Sequence, residues 1–138
     1  MSDGKATEKR IKKVLEEAAK KPDFSFERLP DAHAARGMLQ EQPADFHVDC
    51  CGKSIYIEAK ETENESQISI GDFPQFHRMK RKMMAGALGI VVVYHTKLRK
   101  YRIVNLKDFP LSTTVFKLGG YEFCQLSDLI WRCYAWKE

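Results

Sequence analysis

Asp45, Glu58 and Lys60 are the residues of this 138-residue chain whose types and spacing could do chemistry. Pro43-Ala44-Asp45 is followed, after twelve intervening residues, by Glu58-Ala59-Lys60. Two hard carboxylates brought close together suit Mg²⁺ or Mn²⁺, ions that take oxygen ligands and keep several waters. Such ions are commonly bound through one or two carboxylates plus phosphate oxygens. An ion of this kind lowers the pKa of a bound water and polarises a phosphate, the two demands of phosphodiester hydrolysis. A lysine two residues beyond the second acid can hydrogen-bond the attacking water or offset transition-state charge. It can also serve as a base if the metal depresses its pKa, and the sequence leaves these roles open. The bare pattern of an acid followed by Glu-x-Lys is unspecific, because Glu and Lys are common on exposed strand faces, where cross-strand ion pairs are ordinary. Its setting strengthens it.

That setting is a hairpin. Ala44 to Asp49 and Ser54 to Lys60 read as two strands joined by Cys50-Cys51-Gly52-Lys53, a spacing and a glycine that suit a tight turn. Successive strand side chains alternate, so Ile55, Ile57 and Ala59 point one way while Tyr56, Glu58 and Lys60 point the other. Upstream, Ile11, Val14, Leu15, Ala18 and Ala19 recur at helical spacing between Lys5 and about Lys20, and Pro22 stops the pattern. Phe24 to Leu29 alternates as a short strand, and Pro30 to Gln42 has no periodicity and reads as a loop. Glu61 to Gly71 is polar and reads as loop as well. Pro74 suits the first turn of a helix to about Gly86 with Phe76, Met79, Met83 and Ala87 as its apolar stripe. Leu88 to Tyr94 is a continuous β-branched run, as expected of a strand buried on both faces, and Lys100 to Asn105 makes its neighbour. Tyr121 to Cys124 reads as a short strand, and Ser127 as the N-cap of a last helix through Trp131. The order predicts one α/β domain over residues 1–138, a mixed sheet with the long buried strand near its centre and helices on its faces.

Charge is segregated along the chain. Residues 31–66 carry eight acids against three bases, whereas residues 67–107 carry nine bases against one acid. An anionic pocket beside a cationic stretch suits a protein that holds a divalent cation and a polyanion side by side, although charge runs are often only solvated faces. Candidate phosphate contacts are Arg36 in the loop, Arg78, Arg81 and Lys82 on the second helix, and Arg99, Lys100 and Arg102 around the later strands. Lys80 and Lys97 read as solubilising. Tyr56, Phe73 and Phe76 could stack on bases, although the place of Phe76 on the apolar stripe favours core packing. His47 lies on the Asp45 face, where a surface hydrogen bonder is commoner than a lone metal ligand.

These residues resemble the PD-(D/E)xK nucleases, and within them the RecU-type Holliday junction resolvases of bacteria and their phages. Ile57-Glu-Ala-Lys-Glu-Thr62 carries the resemblance, with the step from Asp45 to Glu58, the polar stretch Asn64 to Ser69, and Gln75 with Met79 on the next helix. The resemblance covers about residues 43 to 105, and the chain departs from the RecU pattern in its brief N-terminal region and in the spacing before Gln75. It implies a restriction-endonuclease-like fold, Asp45, Glu58 and Ala59 as metal ligands for Mg²⁺ (with Mn²⁺ able to substitute), Lys60 as the catalytic lysine and Glu8 as an additional acid. From the residues themselves, Glu8 reads equally as an exposed helix residue paired with Lys12. Gln75 is either a phosphate or water contact or a helix-terminal polar residue.

The expected activity is that of a Mg²⁺-dependent, structure-selective endonuclease making paired nicks in four-way junctions, as a homodimer matched to two-fold branched DNA. The alternatives are a less selective nuclease on duplex or flap DNA and a non-catalytic branched-DNA-binding module. No apolar run reaches membrane-spanning length and the Lys-rich start lacks a signal-peptide core, so a cytoplasmic location is expected. The four cysteines match neither zinc nor disulfide-scaffold spacing, and Cys124 and Cys133 read as core residues.

Overall fold

A computed structural model describes residues 4–30 and 42–135; Arg36 and most of the expected Pro30–Gln42 loop lie outside them. The first helix, α1, spans Lys5–Ala18 and buries Thr7, Ile11, Leu15 and Ala18, one side of a 3.6-residue period. β1 (Phe24–Arg28), β2 (Phe46–Cys50) and β3 (Lys53–Thr62) form an antiparallel meander. The β2–β3 turn places Cys51 at φ 53° and Gly52 at φ 80°. Positive φ at both central residues is the signature of the two-residue turn whose twist matches that of paired strands. This fixes the register Phe46↔Ile57, which sets Asp45, just before β2, against the middle of β3.

From β3 the chain passes through β4 (Gln67–Ser69), a 3₁₀ turn and α2 (Phe76–Met84) before returning as β5 (Leu88–His95), parallel to β3. β6 (Lys100–Asn105) pairs antiparallel with β5, giving the strand order β1-β2-β3-β5-β6. The long buried strand is therefore an inner one, while the centre is β3, the strand that carries Glu58 and Lys60. α3 (Asp128–Ala135) follows Ser127 as expected and runs past Trp131. Pro74 lies just ahead of α2 and not within it, a shift of the size by which helix ends ordinarily vary.

Two expectations need correction. The segment expected to be loop contains β4, which pairs with β7 (Val115–Lys117) in a small separate ribbon. Each strand is three residues long, too short to show a period, and what orders them is tertiary: their middle residues Ile68 and Phe116 are buried in the core beside α2. The strand expected at Tyr121–Cys124 reduces to an isolated bridge between Tyr101 and Cys124.

The sheet divides the core in two. Ile55, Ile57, Ile90, Val92 and Ile103 face α1 and α3, while Val91, Val93 and Val104 face Phe73, Phe76, Met79 and Phe116. β5 contributes to both, as a strand covered on both faces must. Cys133 is buried and Cys124 half-buried, and all four cysteines are free thiols. Among the described residues no helix is long and apolar enough to cross a membrane.

Candidate functional site

Backbone pairing brings Asp45 into place before its side chain does anything. Its N–H donates to Ile57 O at 3.2 Å and its carbonyl accepts from Leu29 N at 2.8 Å, so it is pinned between β1 and β3. The carboxylate Oδ2 then accepts from Ala59 N at 2.8 Å. Glu58, which the register Phe46↔Ile57 places opposite Asp45, is only 2% exposed. Its Oε2 lies 3.3 Å from Lys60 Nζ, and its buried Oε1 meets no donor. Lys60 Nζ also donates to Gln75 Oε1 at 3.3 Å and sits 5.3 Å from the centre of the Phe73 ring. Gln75 caps the start of α2, so the helix that covers one face of the sheet delivers a polar group to the lysine.

Glu8 arrives from the first turns of α1. Its Oε1 accepts from the Arg28 guanidinium at 3.3 Å, not from Lys12. Burial first, and then the Asp45 charge, push the Glu8 carboxyl up to about 7 against the opposing pull of Arg28. Burial, followed by the Glu58 charge, pushes Asp45 up to about 7, opposed by the Ala59 N–H. Glu58 is raised too, chiefly by burial and against the pull of Lys60. Three carboxyl groups that each resist ionisation because of burial and of one another are relieved either by protons or by a cation placed among them.

The donor set fits a hard divalent ion. Glu58 Oε1 is a buried, partnerless oxygen, Asp45 is the adjacent acid, and the one oxygen Ala59 offers is its backbone carbonyl. Among the described residues no three His, Cys, Asp or Glu side chains are placed to hold a metal ion together. Two carboxylates and a carbonyl suit Mg²⁺, which keeps waters and accepts substrate oxygens in its remaining positions.

The expected residues Glu8, Asp45, Glu58, Ala59, Lys60 and Gln75 are therefore brought together. Others are not. Arg102 is 7% exposed, and its guanidinium donates to Tyr121 O at 2.9 Å and Glu65 O at 2.6 Å while lying 4.1 Å over the Phe123 ring. It is thus spent on protein carbonyls, which corrects its reading as a phosphate contact. Arg78, Arg81, Lys82, Arg99 and Lys100 are exposed. Lys80, expected to be only solubilising, bends inward to donate to Leu106 O at 3.0 Å. His47 stacks on Tyr56 and has Ser54 Oγ 2.7 Å from Nε2 and Glu27 3.3 Å from Nδ1, so its nitrogens are occupied by neighbours. Phe76 is fully buried and Phe73 lies beneath Lys60, so neither is a free stacking platform.

Sequence reading missed Arg28, the partner of Glu8. A signal existed: β1 alternates Phe24, Phe26, Arg28 on one side, and a cation on the apolar side of a strand implies a specific partner.

No protein-family model and no curated protein sequence matches the chain. Among solved structures the chain is similar to Hjc of Archaeoglobus fulgidus, a Holliday junction resolvase from an archaeal hyperthermophile. The TM-score is 0.55 at 16% identity, covering 90% of this chain and 98% of that one. The fold, a five-stranded mixed sheet flanked by helices, is the one found in that resolvase.

Proposed function

We propose that the chain is a Mg²⁺-dependent, structure-selective DNA endonuclease that resolves four-way junctions as a homodimer. The observation that carries this reading is Glu58: a buried carboxylate with one oxygen on Lys60 and the other without a donor, beside Asp45. Lys60 meets only one of the two oxygens, and the other, buried and charged, is costly unless a further cation compensates it. Asp45, Glu58 and the Ala59 carbonyl would hold the ion, which supplies an acidified water and charge neutralisation at the scissile phosphate. Lys60, steadied by Glu58 and Gln75, holds an ammonium where it can orient that water or meet the developing phosphate charge. Glu8 adds a third acid whose orientation Arg28 sets. Resemblance to the resolvases, in the motif and in the fold, supports a branched substrate, and two-fold junctions pair with two-fold proteins.

The deciding experiment compares a labelled immobile four-way junction with matched linear duplex, in Mg²⁺ and in EDTA. Paired, symmetric nicks in the junction alone, dependent on Mg²⁺, are expected. Equal cutting of the duplex would leave a general nuclease, and tight junction binding without cutting would overturn the catalytic reading in favour of a binding module.

The exposed bases of α2 are the proposed phosphate contacts. Arg81→Gln should lower the slope of log affinity against log salt by about 0.9, one phosphate contact. Arg102→Gln should leave that slope unchanged. It should instead destabilise the fold by about 1–3 kcal/mol in urea unfolding, because two carbonyls lose a donor.

A further inference from the structure

α1 presents an apolar stripe of Ile11, Leu15 and Ala18 to the sheet, yet the stripe opens on a threonine. Thr7 is fully buried, and its hydroxyl donates to Glu61 Oε1 at 2.6 Å. Valine has the same shape and would fill that space without a hydroxyl to satisfy, so packing alone does not account for the residue. Glu61 lies on β3 one residue beyond Lys60 and three beyond Glu58, on the face turned towards α1. The bond therefore ties α1 directly to the strand that carries the candidate site. The same end of the helix lies close over β3. Gly4 caps it at φ 77°, and a Cβ there would lie 3.8 Å from the Ala59 carbonyl oxygen.

The next residue along α1 is Glu8. Neighbours on a helix point about 100° apart, so a helix held at Thr7 against β3 turns residue 8 sideways, towards β1 and β2. There Glu8 meets Arg28 and the Asp45 carboxyl. Position along the helix axis and rotation about it are both set at Thr7, one residue from the acid.

Resting on the nuclease reading above, we infer that Thr7 and Glu61 are a positioning pair: their hydrogen bond fixes α1 on β3 so that Glu8 stands beside Asp45 and the divalent-cation site. Neither residue touches the reacting atoms. Groups that orient the groups around a metal typically contribute 10- to 100-fold to its affinity.

The test measures Mn²⁺ binding by electron paramagnetic resonance in the absence of DNA, together with single-turnover junction cleavage, for wild type, Thr7→Val, Thr7→Ser and Glu61→Met. Thr7→Val should weaken Mn²⁺ binding about 10-fold or more and raise the metal concentration for half-maximal cleavage in parallel, with junction affinity in EDTA unchanged. Thr7→Ser, which keeps the hydroxyl, should restore both. Glu61→Met attacks the bond from its more accessible side, so the inference stays testable if Thr7→Val fails to fold. The Thr7→Val/Glu61→Met double variant should lose no more than either single one. Wild-type Mn²⁺ affinity in Thr7→Val would overturn the inference while leaving the nuclease reading intact, as would failure of Thr7→Ser to rescue or additive losses in the double variant. Wild type that neither binds Mn²⁺ nor cuts would overturn the nuclease reading and this inference with it.

Discussion

Junction cleavage in Mg²⁺ should fall by about 10³-fold or more in Glu58→Gln, while the variant binds the junction in EDTA as tightly as wild type or more tightly. The substitution keeps the shape of the side chain and removes its charge. In the wild type that charge is 2% exposed, has one oxygen on Lys60 and leaves the other without a donor. A neutral amide can neither attract a divalent ion there nor hold the Lys60 ammonium by charge. Losing a preorganised electrostatic group of this kind costs catalysis about 10²–10³-fold by itself, and loss of the metal adds to it. Binding without metal should not suffer, because one negative charge fewer lies in the path of a polyanion. Lys60→Met should show the same separation between cutting and binding. The measurement is single-turnover cleavage at saturating enzyme beside a gel-shift titration in EDTA. A Glu58→Gln protein that still cuts within a few-fold of wild type would remove the carboxylate from the chemistry.

The metal-free protein should lose stability as the pH rises, against the usual expectation for carboxylates held in ion pairs. Asp45 has its pKa raised from 3.8 to about 7 by burial and by Glu58, and Glu8 rises from 4.5 to about 7. Between those limits the folded state binds more protons than the unfolded chain, so raising the pH favours unfolding. The stabilisation is complete below about 4 and is lost as the pH passes through about 7. A shift of this size in one carboxyl is worth at most about 4 kcal/mol, and solvent reaching the partly exposed Glu8 lowers its share, so a fall on the order of 2–4 kcal/mol is expected. Urea unfolding in EDTA at pH 5.5 and pH 8 measures it. Asp45→Asn should flatten most of the difference and be the more stable protein at pH 8. Added Mg²⁺ should raise the wild-type midpoint at pH 8 and do little for the variant, since the ion takes the place of the protons. A wild-type midpoint that is flat or climbs with pH would show that these acids are not crowded together.

What the sequence determined by itself was whatever follows from local periodicity. Alternation along Ser54 to Lys60 separates Ile55, Ile57 and Ala59 from Tyr56, Glu58 and Lys60: the first three join the core facing α1 and α3, while on the other face Tyr56 and Lys60 are half-buried and the burial of Glu58 is not given by alternation. A hairpin across Cys50-Cys51-Gly52-Lys53 was legible from spacing, and with it the nearness of Asp45 to the Glu58 strand; the two-residue Cys51-Gly52 turn and the register that sets Asp45 opposite Glu58 came with the fold. The stripe of α1 was readable as a 3.6-residue repeat, the two-faced burial of β5 as a continuous β-branched run, and the start of α3 from the capping type of Ser127, each a signal carried by residues close together in the chain.

Only the tertiary structure decided which distant groups meet. That β3 is central and pairs in parallel with β5 depends on a crossover through α2, and no residue in either strand encodes its neighbour. Arg102 reads in sequence as one more exposed base, yet carbonyls at Glu65 and Tyr121 claim it, because those loops converge on β6 from opposite directions along the chain. β4 and β7 are three residues each and exist because Ile68 and Phe116 find the same core. Glu8 becomes part of a cluster of acids only when α1 docks through Thr7 and Glu61 and Arg28 closes over it. The physical reason is common to all four: side-chain direction repeats locally and can be counted along the chain, whereas contacts between residues dozens of positions apart are fixed by packing and by satisfying buried polar groups, and these exist only once the chain has folded.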